Sequence, residues 1–446
     1  MTVTGLCFMF AYFSGLILAL VRHPMYGLLT YVGVFYLHPP SRWWGQFLPG
    51  IRWSLLAAAV ALFATWRYKS AITREPWFKT TPAKLLLAYT AWLWIQSLWA
   101  MDPVQHRECA LLFSKYIIVF YIVYYLVDTP DKARAFLLTH LAGCAYLGFV
   151  ALSASSGGRL DGVGGPGIDD SNTLGMHIAT GALAGGVLML LEKRWWLGFC
   201  GIATALSMNT LVMTGSRGAF LALITGGALL VYLHPKEYRK RFVIYAVAAV
   251  VGFGALASQE FWERMNTLNA VVDEDQELES SAESRVVMAY AQLEMAKHYP
   301  FGNGHRGSEV LSAQYLDSKW LTEGGARSSH NTFLTALVEQ GIPGVILFFG
   351  YVVWGYRSAR KLRPLLNADE HRARGMYGVV ATSSLVIVLI GGLFADFLKV
   401  EIQIWMAALL ATLLQVQARE ATRTVANAVN NADHRLADGA KNLGRV

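Results

Sequence analysis

Charge is scarce in this 446-residue chain: Asp, Glu, Lys and Arg make up 15% of it, where about a quarter is usual in soluble globular proteins. That scarcity excludes a soluble enzyme of this size, whose surface needs far more polar groups, and it excludes a disordered chain as well. Cysteine is sparse too. Cys7, Cys109, Cys144 and Cys200 lie in or beside apolar segments with no C-x-x-C pair, so they read as small buried hydrophobes. A disulfide framework and a zinc site are both excluded on that pattern. No internal repeat and no pair of symmetric halves is present, which speaks against the repeat-built secondary transporters. The N-terminus has no basic leader; the apolar run Leu6–Val21 followed by Arg22, His23 and Pro24 reads as a retained first span.

What is abundant is apolar sequence, 54% of the chain. Apolar runs fall near 5–21, 25–37, 51–66, 82–100, 108–127, 135–154, 173–191, 196–213, 218–233, 242–257, 332–356, 376–394 and 400–417. In lipid only helices and closed barrels satisfy their own backbone, so these runs predict helices. Several are shorter than the roughly 20 residues of a full crossing. The expected fold is an all-α polytopic membrane protein with twelve or thirteen spans. Its parts are an N-terminal transmembrane bundle (1–257), a long loop capping it (258–330), C-terminal transmembrane helices (331–418) and a polar tail (419–446).

The 38 Lys and Arg outnumber the 30 Asp and Glu, a net of +8. The excess sits mostly in short connectors, around Arg67 to Lys79, Lys193–Arg194, Lys236 to Arg241 and Arg357 to Arg374. Alternating the spans puts all four on one side, which the positive-inside rule assigns to the cytoplasm. No basic stripe with interleaved aromatics is left over, so nucleic acid is not an expected partner; membrane lipids are.

Against that orientation, four cationic residues stand out on the opposite side. Arg159 lies in a glycine-rich loop before the span that starts near Asn172. Arg217 lies in the turn Thr214-Gly215-Ser216-Arg217-Gly218, at membrane depth, where an arginine is costly without a partner. Arg285 and His330 belong to the 258–330 loop. Guanidiniums gathered at one face suit a diphosphate, which accepts bidentate donors. The competing reading pairs them with lipid headgroups or with Asp161, Asp169 and Asp170. His330 begins the string Ser329-His330-Asn331, nine residues, then Gly341-Ile342-Pro343-Gly344. An imidazole there is suited to general-base work, although Asn331 or Ser329 beside it also suits a helix cap. Pro343 predicts a break about midway along that span.

The His330-Asn331-x9-Gly341-x-x-Gly344 string resembles the signature of the O-antigen ligase and polymerase superfamily of bacterial inner membranes. Arg217 in Ser216-Arg217-Gly218-Ala219-Phe220-Leu221 is similar to a second landmark of that family. Arg285, followed by Pro300-Phe301-Gly302-Asn303-Gly304, is similar to a third. With Arg159 and Asn172 the resemblance covers roughly 155–350. The segments Arg22-His23-Pro24 and His38-Pro39-Pro40 also resemble a subgroup described as O-glycosylation ligases. The resemblance implies a GT-C-like helical enzyme with its site facing the periplasm. The implied donor is a glycan on undecaprenyl diphosphate and the implied acceptor a sugar hydroxyl of lipid A–core. Transfer would invert the anomeric carbon with no metal and no cofactor: His330 takes the acceptor proton, and Arg159, Arg217 and Arg285 hold the diphosphate. Asn172, Lys115 and Asn331 are possible supporting residues. A polymerase acting on a second lipid-linked glycan and a protein O-oligosaccharyltransferase are the rival acceptor readings. A flippase for lipid-linked sugars is the reading from another class, but it would spread its cations along the bilayer rather than at one face.

Three other features weigh less. Asp273-Glu274-Asp275 has the D-x-D spacing of metal-dependent transferases, but within a soft acidic run, so a solvated face is the expectation. The glycines from Gly162 to Gly167 surround a proline and follow a span, so they read as a mobile loop rather than a nucleotide site. Glu108 and Lys115 share one span and suggest mutual neutralisation.

Overall fold

A computed structural model describes residues 2–68, 75–154, 160–233, 235–256 and 276–416 of the chain. Arg159, the Asp273–Asp275 run and the 419–446 tail lie outside the described residues. Every apolar run is helical. They form α1 (Val3–Val21), α2 (Met25–Leu37), α3 (Trp53–Tyr68), α4 (Thr81–Gln96), α5 (Pro103–Leu126), α6 (Pro130–Ala154), α7 (Ser171–Leu191), α8 (Arg194–Thr214), α9 (Arg217–Leu233) and α10 (Arg239–Leu256). After the gap come α11 (Gln276–His298), α12 (Gly307–Tyr315), α13 (Gly341–Asn367), α14 (Arg372–Gly391) and α15 (Glu401–Val416). Among the described residues, seven helical stretches are long and apolar enough to cross a membrane, or eight if the bent α9–α10 pair counts as one. The chain is an all-α polytopic membrane protein, with shorter apolar helices packed between the full-length ones.

The bundle is built around α7, which is buried along almost its whole length among α6, α8, α9 and α14. Its small residues permit that enclosure, as is usual where helices pack in lipid. A Cβ at Gly185 would stand 2.0 Å from the Thr204 hydroxyl, and one at Gly175 would stand 3.0 Å from that of Thr214. The basic connectors meet at one end. There Arg134 of α6 pairs with Glu192 beyond α7, and Arg372 of α14 pairs with Glu237 before α10. At the other end lie Asn172, Ser216, Thr332 and the α14–α15 connection.

Gly162–Gly167 is held rather than loose. Arg42 donates to the Val163 carbonyl at 2.8 Å and, with its other nitrogens, to the carbonyls of Leu37 and Tyr36. Asp161 and Asp170 accept from backbone N–H groups at the start of α7. Those two carboxylates therefore work as helix caps.

The segment after His330 also departs from expectation. A turn of α-helix, Thr332–Thr335, widens into π-helix over Ala336–Gln340 before α13 begins. The break is at Gln340–Gly341, early in the span, and Pro343 sits harmlessly in the first turn of α13. The cause is a close backbone approach: Gly341 has φ of 66°, and a Cβ there would meet the Gly302 nitrogen at 2.4 Å. Above this segment, Met288, Ala291 and Met295 of α11 pack with Leu311, Leu316 and Val338. The described part of the long loop thus rests its apolar side on the π-helical turn.

Candidate active site

The site is assembled where α11 and the 327–331 return strand meet. Arg285, Gln292, Arg327, His330, Asn331 and Leu393 are among the residues lining a cleft of about 390 Å³. Three of the sequence candidates, Arg285, His330 and Asn331, are therefore brought to one cavity, with Arg285 and His330 exposed. The neighbours of His330 fix its backbone. Asn331 caps the following turn, its Oδ1 accepting from the N–H groups of Phe333 at 2.9 Å and Leu334 at 3.1 Å. Ser329 is buried; its hydroxyl donates to Gln292 Oε1 at 3.0 Å and accepts from the Asn331 N–H at 3.2 Å. Between an N-cap and a buttress, the imidazole is left at the lip of the cleft.

Arg327 was not singled out by the sequence. One guanidinium nitrogen donates to the Trp320 carbonyl and another to the Ser284 hydroxyl, each at 2.7 Å, so it ties the return strand to α11 beside Arg285. Its own N–H donates to Ser312 Oγ at 2.8 Å. The cleft therefore has a second cation in its wall.

Arg217 opens α9, half-buried, after Gly215 in the left-handed conformation. Ser216 Oγ donates to Asn172 Oδ1 at 3.0 Å, joining the α8–α9 turn to the start of α7. Asn172 is thus a positioning partner of the Arg217 turn. Lys115 is exposed on α5, is not part of the Arg285–His330 cleft, and among the described residues forms no ion pair with Glu108.

One loop connects these pieces. In the α14–α15 connection, Leu393 lines the cleft. Phe394 abuts Gly218, where a Cβ would stand 2.8 Å from the Phe394 Cβ. Thr332 Oγ1 donates to the Ala395 carbonyl at 2.9 Å and accepts from the Phe397 N–H at 2.8 Å. The segments that carry Arg217 and His330 are thus both packed, through Gly218 and Thr332, against the same nine-residue connection.

Beneath the cleft lies a buried ionic cluster. Glu339 Oε2 is 3.1 Å from His305 Nδ1, and Ser308 Oγ donates to Glu339 Oε1 at 2.7 Å. Lys399 Nζ stands 2.9 Å from His305 Nε2, an ammonium donating to a ring acceptor, which leaves the Nδ1–H to face the carboxylate. Asp396 is held above its usual range by burial first and by the Glu339 carboxylate second. The loop Pro300–Gly304 is strapped to the same place. Gln96 Nε2 donates to the carbonyls of Phe301 and Glu339, Trp99 to Gly302, and Trp92 to Gln340. The glycine-rich string before His305 is therefore a backbone clamp on the π-helical turn.

An exposed imidazole beside guanidiniums, on a backbone fixed by a cap, can take a proton while a neighbouring anion is stabilised. Residues 202–349, one third of the chain, match the family model Wzy_C, described as O-antigen ligase. The matched stretch contains Arg217, Arg285, Arg327 and His330. No curated protein matches the chain.

Proposed function

We propose, from the match of residues 202–349 to the O-antigen ligase family model, that this chain is a GT-C-like glycan ligase working at the periplasmic face of the bacterial inner membrane. The donor is a glycan on undecaprenyl diphosphate and the acceptor a sugar hydroxyl of lipid A–core. The observation that carries the reading is the single cleft lined by His330, Arg285 and Arg327. His330 removes the proton as the acceptor oxygen bonds to the anomeric carbon. The bond from that carbon to the diphosphate oxygen breaks on the opposite side, inverting the centre, and the electron pair leaves with the diphosphate. Arg285 and Arg217, with Arg159 as a third contact, stabilise the departing charge; preorganised cations of this kind are often the largest contribution in transfer reactions. Arg327 supports them from the cleft wall.

A tail seat supports the same reading. A narrow apolar crevice begins at Thr332 and Phe333, next to the cleft, and is walled by Phe348, Leu389 and Phe397. An isoprenoid chain anchored there keeps its diphosphate at the arginines. In this assignment the 258–330 loop is the periplasmic cap and the 419–446 tail is cytoplasmic. Reconstitution with a defined undecaprenyl-diphosphate glycan and, separately, lipid A–core, a second lipid-linked glycan and a protein acceptor tests the proposal. Modification of lipid A–core supports it. Modification of the lipid-linked glycan makes the chain a polymerase, and modification of protein makes it an oligosaccharyltransferase.

A further inference from the structure

Three neighbouring cavities follow one another along α13. The one that begins at Thr332 shares Phe348, Tyr351 and Gln403 with a second of about 520 Å³. The second shares Pro82 with a third of about 1100 Å³. Thr332 and Lys361 stand near opposite ends of one 36-residue helical stretch, so the third cavity lies at the end of the bundle remote from His330.

The chemistry changes from cavity to cavity. The second cavity is walled mostly by Leu, Phe and Tyr. The third carries Lys79 and Lys361, both exposed, with the hydroxyls of Thr81 and Ser358, and none of its described lining side chains is acidic. Glu75 lies at the rim, where Gln415 donates to it at 3.4 Å. Lys79 and Lys361 form no ion pair among the described residues. Trp354 lines the same mouth, the position at which an amphipathic ring favours a headgroup interface.

We propose that this third cavity binds an anionic phospholipid, phosphatidylglycerol in the first instance, from the leaflet remote from His330. The two ammonium groups hold the headgroup phosphate, and one acyl chain enters the second cavity. Basic pockets between membrane helices take anionic headgroups in this way, and an ammonium serves a phosphate as a compact point charge. The length agrees. From Lys361 back to Phe348 is thirteen residues of α13, or about 20 Å at a rise of about 1.5 Å per residue. That is about two-thirds of a hydrocarbon core of about 30 Å, so the chain ends short of Thr332. A polyprenyl lipid entering from the Thr332 end would place its phosphate by the arginines and leave both lysines unmatched. The site goes beyond the ligase reading and does not depend on it.

Native mass spectrometry of the full chain in detergent, with phosphatidylglycerol, phosphatidylethanolamine or undecaprenyl phosphate added, tests the site. Phosphatidylglycerol should be retained about thirtyfold over phosphatidylethanolamine, the scale expected of two basic groups at a membrane surface. Lys79→Gln with Lys361→Gln should abolish that preference, whereas Lys79→Arg with Lys361→Arg should keep it. The control pair Lys193→Gln with Lys240→Gln should behave as wild type. The proposal is overturned if the two phospholipids are held equally, or if the glutamine pair retains phosphatidylglycerol like wild type. It is also overturned if undecaprenyl phosphate is preferred and that preference is lost with the lysines. Should the glutamine pair fail to fold, equal retention of both phospholipids by the arginine pair would overturn it in the same way.

Discussion

Lys399 Nζ lies 2.9 Å from His305 Nε2, and the far side of that ring faces Glu339 at 3.1 Å. A residue of the cap thus bridges a base on the α14–α15 connection to an acid on the turn that follows His330. Breaking a buried charge pair from one side leaves the other charge uncompensated, at about 3–5 kcal/mol. Glu339→Ala should therefore cost about 3 kcal/mol, while Glu339→Met combined with Lys399→Met should recover much of it. Melting of the purified variants in one detergent measures both. Equal losses in the single and the double variant would show that the ionic link is not what holds these elements together.

The arginines should separate by role. Arg217→Lys and Arg285→Lys keep the charge but lose the planar fork that fits a diphosphate. Each should weaken donor binding and turnover by about tenfold or more, the range of one or two charge-assisted hydrogen bonds. Arg327 donates to Trp320 and Ser284 within the protein, so Arg327→Lys should lower the melting temperature as well. If Ala variants at 159, 217 and 285 all hold donor and transfer glycan like wild type, these cations are structural.

The helices were legible because length and apolarity alone decide them in a chain this hydrophobic. His330 and Arg285 were legible for a different reason: a cation or imidazole on a face otherwise poor in positive charge is visible from topology. The α14–α15 connection was not. Between two apolar runs, Leu393, Phe394 and Ala395 look like span ends, and their importance comes only from distant contacts with Gly218 and Thr332. Glu339, Asp396 and Lys399 did carry a signal, since ionisable residues inside or between apolar runs are costly unless used. The π-helical turn was hidden because Gly302, not Pro343, forces the break at Gly341.

Topology offers an independent check. Cys7 is exposed, so a Cys7→Ser background is needed. In it, Glu323→Cys in the cap and Asn367→Cys at the end of α13 should react with an impermeant thiol reagent from opposite sides of sealed vesicles. Labelling from the same side would separate the cap and His330 from the periplasm and end the proposed reaction.

Acid should loosen the cap through Glu309. Its pKa lies below the usual value of 4.5, chiefly because Arg306 donates to it, at 3.0 and 2.7 Å. A depressed carboxyl contributes stability above its unfolded pKa and loses it as pH falls through the folded one. Wild type should therefore lose melting temperature below about pH 4.5 more steeply than Glu309→Gln. The difference should be small, because the pair is partly exposed and screened. Parallel acid limbs in the two proteins would remove Glu309 from the cap's stability.

His330 should act in the chemical step rather than in folding. It is exposed at the lip of the cleft, and Asn331 and Ser329 beside it make hydrogen bonds that shape this segment. General-base assistance is worth about 10²–10⁴ in rate, so His330→Ala should lose most glycan transfer while its melting temperature stays near wild type. Asn331→Ala gives the contrast, since losing an N-cap costs about 1 kcal/mol and should lower stability with a smaller effect on transfer. Donor binding should survive in His330→Ala, because the diphosphate contacts are assigned to arginines. Transfer and donor affinity measured on the same preparation decide the matter. Near-normal transfer removes His330 from catalysis. Lost affinity with normal melting makes it a donor ligand instead, and the search for the base would then move to another group lining the cleft.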